Sequence, residues 1–462
     1  MAVNDDNAPE RMYTTTDRML TTGKLSEQFY QVVMTTSHFN GTFFFRINQS
    51  ISQCDAPLLV RHLNRIDHPK TVEPEPTKKQ SIFKFQKLQA KPVPEYFRIL
   101  NNDFLSTSAE KMIPCCRGSH RLISFDNYVF SFGGYCPSGL NTGKMSNAAL
   151  KEIWKFNLLT NIWTRIEPIG NMPDHVISMT ASVYRKHVIL FGGTALPLGY
   201  RLSNEVYIFS LITMKFEKLN IIGNKPIPRY QHAMCIYEDV LYVHGGLNDE
   251  YVDGELYAMN LKDFNNLKWS SLNPSKKMPM FGHTMFGYNK CIYLVCKSGP
   301  FDNISYLTFF NLKSNTWNKI TLHPDERHGY PIARTMHNQS EFENCIYICG
   351  GFNFTLLNDA WKLDLKTFTW HKLPCNLPVK CCFHGSTITS DGSWIVFGGN
   401  HNTLHSEVRS NTIYRCRLKI PSLRTLAIQE YIKSNPGVQF LPPVLNRYNG
   451  VPTDMIKWIE NK

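Results

Sequence analysis

The sequence predicts an all-β protein, a closed propeller of six four-stranded blades followed by a short α-helical tail. Three observations predict it. An apolar run closed by a glycine pair recurs as YVFSFGG (Gly133, Gly134), HVILFGG (Gly192, Gly193), VLYVHGG (Gly245, Gly246), CIYICGG (Gly350, Gly351) and SWIVFGG (Gly398, Gly399). A further copy, CIYLVCK, keeps the run but carries Cys296 and Lys297 in place of the glycines, so six copies follow one another at intervals of 48 to 59 residues. An aromatic that closes a short strand keeps the same beat at Trp163, Phe216, Trp269, Trp317 and Trp370. The last copy supplies only three strands (His384 to Thr389, Trp394 to Phe397, Thr412 to Arg417), while EYFRIL (Glu95 to Leu100) is an unaccompanied strand before the first. That N-terminal strand is expected to complete the sixth blade, because closing the ring removes two exposed edges.

A period near ~50 residues with this content is that of kelch repeats, each one propeller blade. Tryptophan-aspartate repeats have a shorter period and a Trp-Asp pair, and no Trp-Asp occurs here. The glycines suit a sharp turn at the end of an inner strand, where the backbone approaches the next blade and takes positive φ. Cys296 and Lys297 are therefore expected to reshape the turn of the fourth blade.

With 462 residues and 42% hydrophobic content the chain can bury a large core. The net charge of +13 attracts acidic partners. The basic residues are scattered, with no Lys/Arg block and no RNA-binding aromatic motif, so no nucleic acid is expected. Met1 to Arg11 is acidic and polar and no apolar run approaches the roughly 18 residues that span a bilayer, so neither a secretory signal nor a membrane partner is expected. The 13 cysteines fit a reducing compartment and show no Cys-x-x-Cys zinc pair. A cytoplasmic location, extending to the nucleus, follows.

Three segments are expected: an N-terminal extension with linker (1–92), the propeller (93–419) and a helical tail (420–462). In the extension HFNGTFFF (His38 to Phe45) carries an Asn-Gly hairpin signal, PLLVRHLNRI (Pro57 to Ile66) suits a short helix, and Pro69 to Gln80 reads as a linker. In the tail PSLRTLAIQEYI (Pro421 to Ile432) starts with Pro and Ser and sets Leu423, Leu426, Ala427 and Tyr431 on one stripe. VPTDMIKWI (Val451 to Ile459) places Pro452 and Asp454 in a first helical turn.

Within the repeats a histidine opens five blades, at His120, His232, His283, His337 and His384. One per blade puts them on separate strands around a ring. They are read as structural positions with a satisfied hydrogen bond, with no metal. Three residues earlier, Arg117, Arg229 and Arg334 recur in three blades and share a rim with the loops after the glycine pairs. The longest of those loops is Tyr135 to Lys151, and Thr194 to Asn204 is another long one. Guanidiniums converging at the mouth fit a peptide carboxylate, with Tyr135 and Phe352, which directly follow two glycine pairs, as companion peptide-binding residues. The competing reading pairs the arginines with the acids that open third strands, Glu152, Glu205, Glu255 and Asp359.

The repeats, the long first loop, the phrases GNMP (Gly170 to Pro173) and LFGGTALPLG (Leu190 to Gly199), and a tail beginning IPSL (Ile420 to Leu423) together resemble the kelch domain-containing protein 10 family over residues 95–462. That family comprises six-bladed substrate receptors for cullin-2 ubiquitin ligases, which read the C-terminal ends of their targets. The resemblance implies that Ser422, Leu423, Ala427 and Tyr431 form an elongin-binding box, with Ala427 where Cys is usual and Tyr431 bulkier than the pattern. It implies a cullin-2 box at Val451, Pro452, Met455 and Ile459. One departure is Met280, which stands before His283 where the repeat would place an arginine. The expected function is a non-catalytic receptor, free of cofactors, whose tail binds elongin B-elongin C and cullin-2 and whose mouth holds C-terminal peptides of protein substrates for ubiquitination. The alternative is a kelch scaffold for signalling or cytoskeletal assembly. An enzymatic reading finds no phosphate loop, His-Glu-x-x-His motif, nucleophile triad or distinct copper constellation.

Overall fold

The structure, a computed structural model, describes residues 34–39, 42–47, 83–90, 113–137, 148–272, 277–295, 302–401 and 408–434. Six antiparallel sheets follow one another as the sequence predicts. Blade one is Arg121–Phe125, Tyr128–Phe132, Ile153–Asn157 and Ile162–Ile166. Blade two is Thr180–Tyr184, His187–Phe191, Val206–Ser210 and Phe216–Lys218. Blade three is Ala233–Tyr237, Val240–His244, Leu256–Asn260 and Lys268–Ser271, and blade four is Thr284–Tyr288, Cys291–Val295, Tyr306–Asn311 and Thr316–Thr321. Blade five is Asn338–Phe342, Cys345–Cys349, Ala360–Asp364 and Thr369–Lys372. Within each of these blades the four strands pair in sequence order, and in blade three Ile222–Gly223 adds a parallel strand outside Lys268–Ser271.

The second strands of blades four, five and six are buried at every residue, because blades cover both faces. They therefore read as continuous apolar runs instead of alternating ones. The outer strands of blades one, two, three and five each bury an aromatic (Trp163, Phe216, Trp269, Trp370), that of blade four half-buries Trp317, and most of the remaining outer-strand residues are exposed or half-buried. Trp163 packs on Phe397 of blade six at 5.0 Å, Trp269 on Phe191 of blade two at 5.4 Å, and Trp317 on His244 of blade three at 5.4 Å. Trp370 donates its indole N–H to the Ile304 carbonyl of the fourth repeat at 3.0 Å. The aromatic beat is thus the contact of each blade with the one before it.

The glycine pair makes the same seam nearer the axis. At Gly245 (φ 66°) a Cβ would stand 2.4 Å from the Met280 carbonyl oxygen and 2.8 Å from the His283 ring of the next blade. At Gly246 (φ 102°) it would stand 2.8 Å from the Cβ of His232 in the same blade, and its N–H donates to the Met280 carbonyl at 2.7 Å. The pair serves both needs, positive φ and a neighbouring backbone too close for a side chain. Cys296 and Lys297 lie outside the described residues.

A closed ring of backbone bonds joins the starts of the six inner strands. Ser119 N–H donates to Phe383, Phe383 to Met336, Met336 to Gly282, Gly282 to Gln231, Gln231 to Ser178 and Ser178 to Ser119, over 2.8–3.2 Å. All six residues have φ between 51° and 62°, so the strained turn is repeated in every blade and offset by a bond that only a complete ring supplies.

An N-terminal strand does complete blade six, as expected, but it is Gln86–Lys87 and not Glu95 to Leu100, which lies outside the described residues. Gln86 pairs with Arg415 and Lys87 with Tyr414, outside Gly385–Ile388, Ser393–Phe397 and Ile413–Arg417. Leu88 N–H adds a bond to Ile413 (2.9 Å), and Phe85 seats on Trp394 at 5.2 Å. The propeller therefore recruits chain from before residue 93. In the N-terminal unit (Met1–Glu75) the expected hairpin is present as Met34–Phe39 paired with Thr42–Ile47. The proposed helix at 57–66, the linker at 69–80 and the second tail segment at 451–459 lie outside the described residues.

Candidate functional site

The three recurring arginines are where the repeat places them, beside the rim loops, but their side chains are 0% exposed. Arg334 donates to the Ile332 and Gly350 carbonyls at 2.9 and 3.0 Å and to both Asp359 oxygens at 2.6 and 2.8 Å. Burial opposes the Asp359 charge, yet Arg334 and the Trp361 indole N–H hold its carboxyl below the usual carboxylate range. Arg117 repeats the pattern with the Cys115 and Gly133 carbonyls and Glu152. Arg229 uses the Ile227 and Gly245 carbonyls and Asp253, and lies 5.1 Å over the Tyr257 ring.

This corrects the sequence-based expectation. The guanidiniums are sealed inside blades one, three and five, tying the glycine turn to the third strand, and present no donors to a ligand at the mouth. The competing reading held for Glu152 and Asp359. In blade three the partner is Asp253, whereas Glu255 binds Lys277 and Tyr257.

The histidines line the seams between blades. His232 meets the Thr180 hydroxyl at 2.6 Å, His283 meets His244 at 3.0 Å and His337 meets the Thr284 hydroxyl at 3.1 Å. His384 lies 3.5 Å from the thiols of both Cys349 and Cys381. His120 departs from the expectation. Neither ring nitrogen has a hydrogen-bond partner among the described residues, and the ring sits edge-on to Phe397 at 5.2 Å. Burial holds all five well towards the neutral form, His337 at about 3 and His384 at about 4. Among the described residues no three His, Cys, Asp or Glu are grouped to hold a metal.

Tyr135 and Phe352 do share one rim position. Each exchanges two backbone bonds with the start of its own blade, Tyr135 with Gly118 and Phe352 with Thr335. Tyr135 is buried and Phe352 half-buried. The sequence reading missed Arg409. Its guanidinium lies 5.6 Å from the Tyr135 ring and 5.7 Å from the Phe383 ring, and Phe383 belongs to the backbone ring that encircles the channel mouth. Among the described residues Arg409 has no counterpart in other blades; the only sequence signal was the length of the loop after Gly399.

The same rim exposes Tyr200, Tyr251, Phe354 and Val408, all in loops that follow the second strands. At the opposite end the turns between first and second strands carry Asp126, Arg185, Glu238, Asp239, Lys290 and Glu343. The rim thus offers separated apolar and aromatic contacts beside an arginine, among exposed charges such as Lys151, Asp174, Arg201 and Glu250, a composition found at protein-binding surfaces.

The tail helix Leu423–Ser434 follows the sixth blade. Ser422 caps it, its hydroxyl accepting the Thr425 N–H at 3.1 Å. Gln429 accepts from Arg417 at 3.0 Å, which ties the helix to the outer part of blade six. Leu423 is 85% exposed and Leu426 41%, and Ala427 is exposed with them. Among the described residues the apolar stripe is uncovered. Tyr431 is half-buried, and the residues of the second box, Val451, Pro452, Met455 and Ile459, lie outside the described residues.

Six blades, five of them turned by a glycine pair, define a kelch-repeat β-propeller, a protein-interaction scaffold. A family model described as the KLHDC2/KLHL20/DRC7 Kelch-repeats domain matches residues 95–299, and the Kelch motif matches residues 334–376. Kelch domain-containing protein 10 of Xenopus tropicalis is 30% identical over 337 residues, 71% of this chain and 82% of that protein. The Homo sapiens protein of that name is 29% identical over 336 residues (70% and 75%), and the Drosophila melanogaster homolog 26% over 345 (67% and 56%). The chain belongs to the kelch domain-containing protein 10 family. Among the described residues no helix is long and apolar enough to cross a membrane.

Proposed function

We propose that this chain is a substrate-recognition subunit of a cullin-2/elongin B-C ubiquitin ligase, with the tail as the docking element and the propeller mouth as the receptor. The observation that carries it is the uncovered stripe Leu423, Leu426 and Ala427 on a helix that Gln429 ties to the blade. A tail that served only to stabilise the propeller would bury those leucines. An exposed i, i+3, i+4 stripe is the form in which a helix enters a partner's groove. The second box, Val451 to Ile459, is assigned to cullin-2 on its sequence pattern.

At the mouth, Arg409 replaces Arg117, Arg229 and Arg334 as the partner of a substrate's terminal carboxylate. It is held between aromatic rings, and Tyr200, Tyr251 and Phe352 are within the same rim to meet preceding side chains. No residue acts as a catalyst in this reading. The test is co-purification of the intact chain with elongin B, elongin C and cullin-2, compared with Leu423→Asp. A charge at an apolar anchor is costly in a buried contact. Loss of all three partners from a folded mutant is the expected outcome; equal recovery, or no recovery with either chain, would leave the scaffold reading in its place.

A further inference from the structure

The channel along the propeller axis encloses about 420 Å³ and is lined by the first strands of all six blades. Most of its polar side chains bond to one another across blade boundaries. Thr284 donates to Gln339 (2.8 Å), Gln339 to the Met285 carbonyl (3.1 Å), and Thr387 to Ser124 (3.0 Å). Two charged groups are not accounted for in this way.

Arg121 is the first. It lines the channel two residues beyond the backbone ring, and its only hydrogen bond among the described residues is a long one to the His120 carbonyl, 3.4 Å. No carboxylate lies within ion-pair distance of it among the described residues. Four positions earlier in the chain, Arg117 has its charge matched by Glu152 and its donors by two carbonyls. A guanidinium enclosed by protein and lacking an anion is costly, and its fork of donors is shaped for a carboxylate or phosphate.

Glu341 is the second. Counting from the histidine that opens each blade, it stands three residues further along the channel than Arg121, about 10 Å at a strand's ~3.3 Å per residue. It makes no ion pair with Arg121. Water in the channel reaches Glu341, but the surrounding blades desolvate its carboxyl and push it up to about 7, and burial likewise lowers Arg121 to about 10. The two ends of the channel differ. At the ring Ser119 and Ser178 are buried and Gln231, Gly282, Met336 and Phe383 half-buried, while at the other end Val183 and Glu341 are exposed. Glu341 thus stands at the more open end of the channel and Arg121 nearer the ring.

We propose that this channel is a binding site for a small oxyanion, a carboxylate or phosphate, held by the Arg121 guanidinium. The site is independent of ligase docking and of Arg409. Its size and single cation suit one compact anion, with Glu341 at the more open end disfavouring it.

The test uses the full chain with inorganic phosphate and succinate as probes, at constant ionic strength, read by calorimetric titration and thermal unfolding. Saturable one-to-one binding is expected, weakened at least tenfold by Arg121→Gln, tightened several-fold by Glu341→Gln, and unchanged by Arg327→Gln on an exposed linker. Binding unaltered in Arg121→Gln, or none in the wild type, would overturn the site. Should Arg121→Gln fail to fold, Arg121→Lys keeps the charge without the fork; affinity equal to wild type for that variant would overturn the assignment, and a clear loss supports it. Displacement of succinate by a long peptide's free C-terminus, as effectively as by succinate itself, would contradict the small-ligand class.

Discussion

Arg117, Arg229 and Arg334 differ from Arg409 in almost every respect that bears on function. The first three recur at one repeat position, are fully buried and are matched by carboxylates within their own blades. Arg409 occurs once, in a loop, with aromatic rings beside it at the channel mouth. A repeated residue solves a problem that every blade poses, here the tethering of the glycine turn. A residue needed by one ligand has no reason to repeat. The arginines also alternate: blades two, four and six carry Val176, Met280 and Cys381 at that position, so Met280 is part of an alternation and not a lesion of blade four.

The largest effect that would sharpen this contrast is acid unfolding driven by the repeat positions. His120, His232, His244, His283, His337 and His384 are all depressed by burial, whereas in the unfolded chain each titrates near ~6.5. Below that value the unfolded state binds more protons, so stability falls as pH drops from about 6.5 towards 4. Each histidine contributes up to ~1.4 kcal/mol per pH unit. Glu341, raised to about 7, acts oppositely and offsets about one proton between pH ~4.5 and 7. Denaturant titrations across this range should show net uptake of several protons on unfolding; a flat profile would mean that the histidines are not buried and neutral.

Next in size, Arg334→Met leaves the half-buried Asp359 without its partner and should cost about 3 kcal/mol. Arg334→Met with Asp359→Asn should recover part of the loss in chemical denaturation. Gly245→Ala follows at about 1–3 kcal/mol or more, since it demands positive φ and drives a methyl into the Met280 carbonyl. The smallest effect is expected from Leu423→Asp, within ~0.5 kcal/mol of wild type, because the side chain is already in water. A large destabilisation there would break the distinction between a docking tail and a structural one.

The blades were legible in the sequence because their second strands, five of them closed by a glycine pair, face nearly identical surroundings from blade to blade. The closing strand was misplaced for the opposite reason. Gln86–Lys87 is two residues long and held by Phe85 and Leu88 on either side, whereas EYFRIL looks more strand-like in composition than the segment used. Burial and pairing decided that choice, and neither is a local property. The arginines were placed correctly on the rim and two of their competing-reading partners, Glu152 and Asp359, were legible, but Asp253 was not, since the acid of blade three lies at a different offset from those of blades one and five. Arg121 and Arg409 carry no periodic signal, and their settings emerge only when inner strands and loops from different blades meet.

The most direct test of the receptor reading measures the affinity of peptides with a free and an amidated C-terminus for wild type, Arg409→Ala and Arg334→Lys. The account predicts that the free acid binds wild type more tightly than the amide, that Arg409→Ala removes this preference without unfolding the protein, and that folded Arg334→Lys retains it. A preference that survives Arg409→Ala but disappears in folded Arg334→Lys would contradict the account and return the carboxylate site to the repeated arginines.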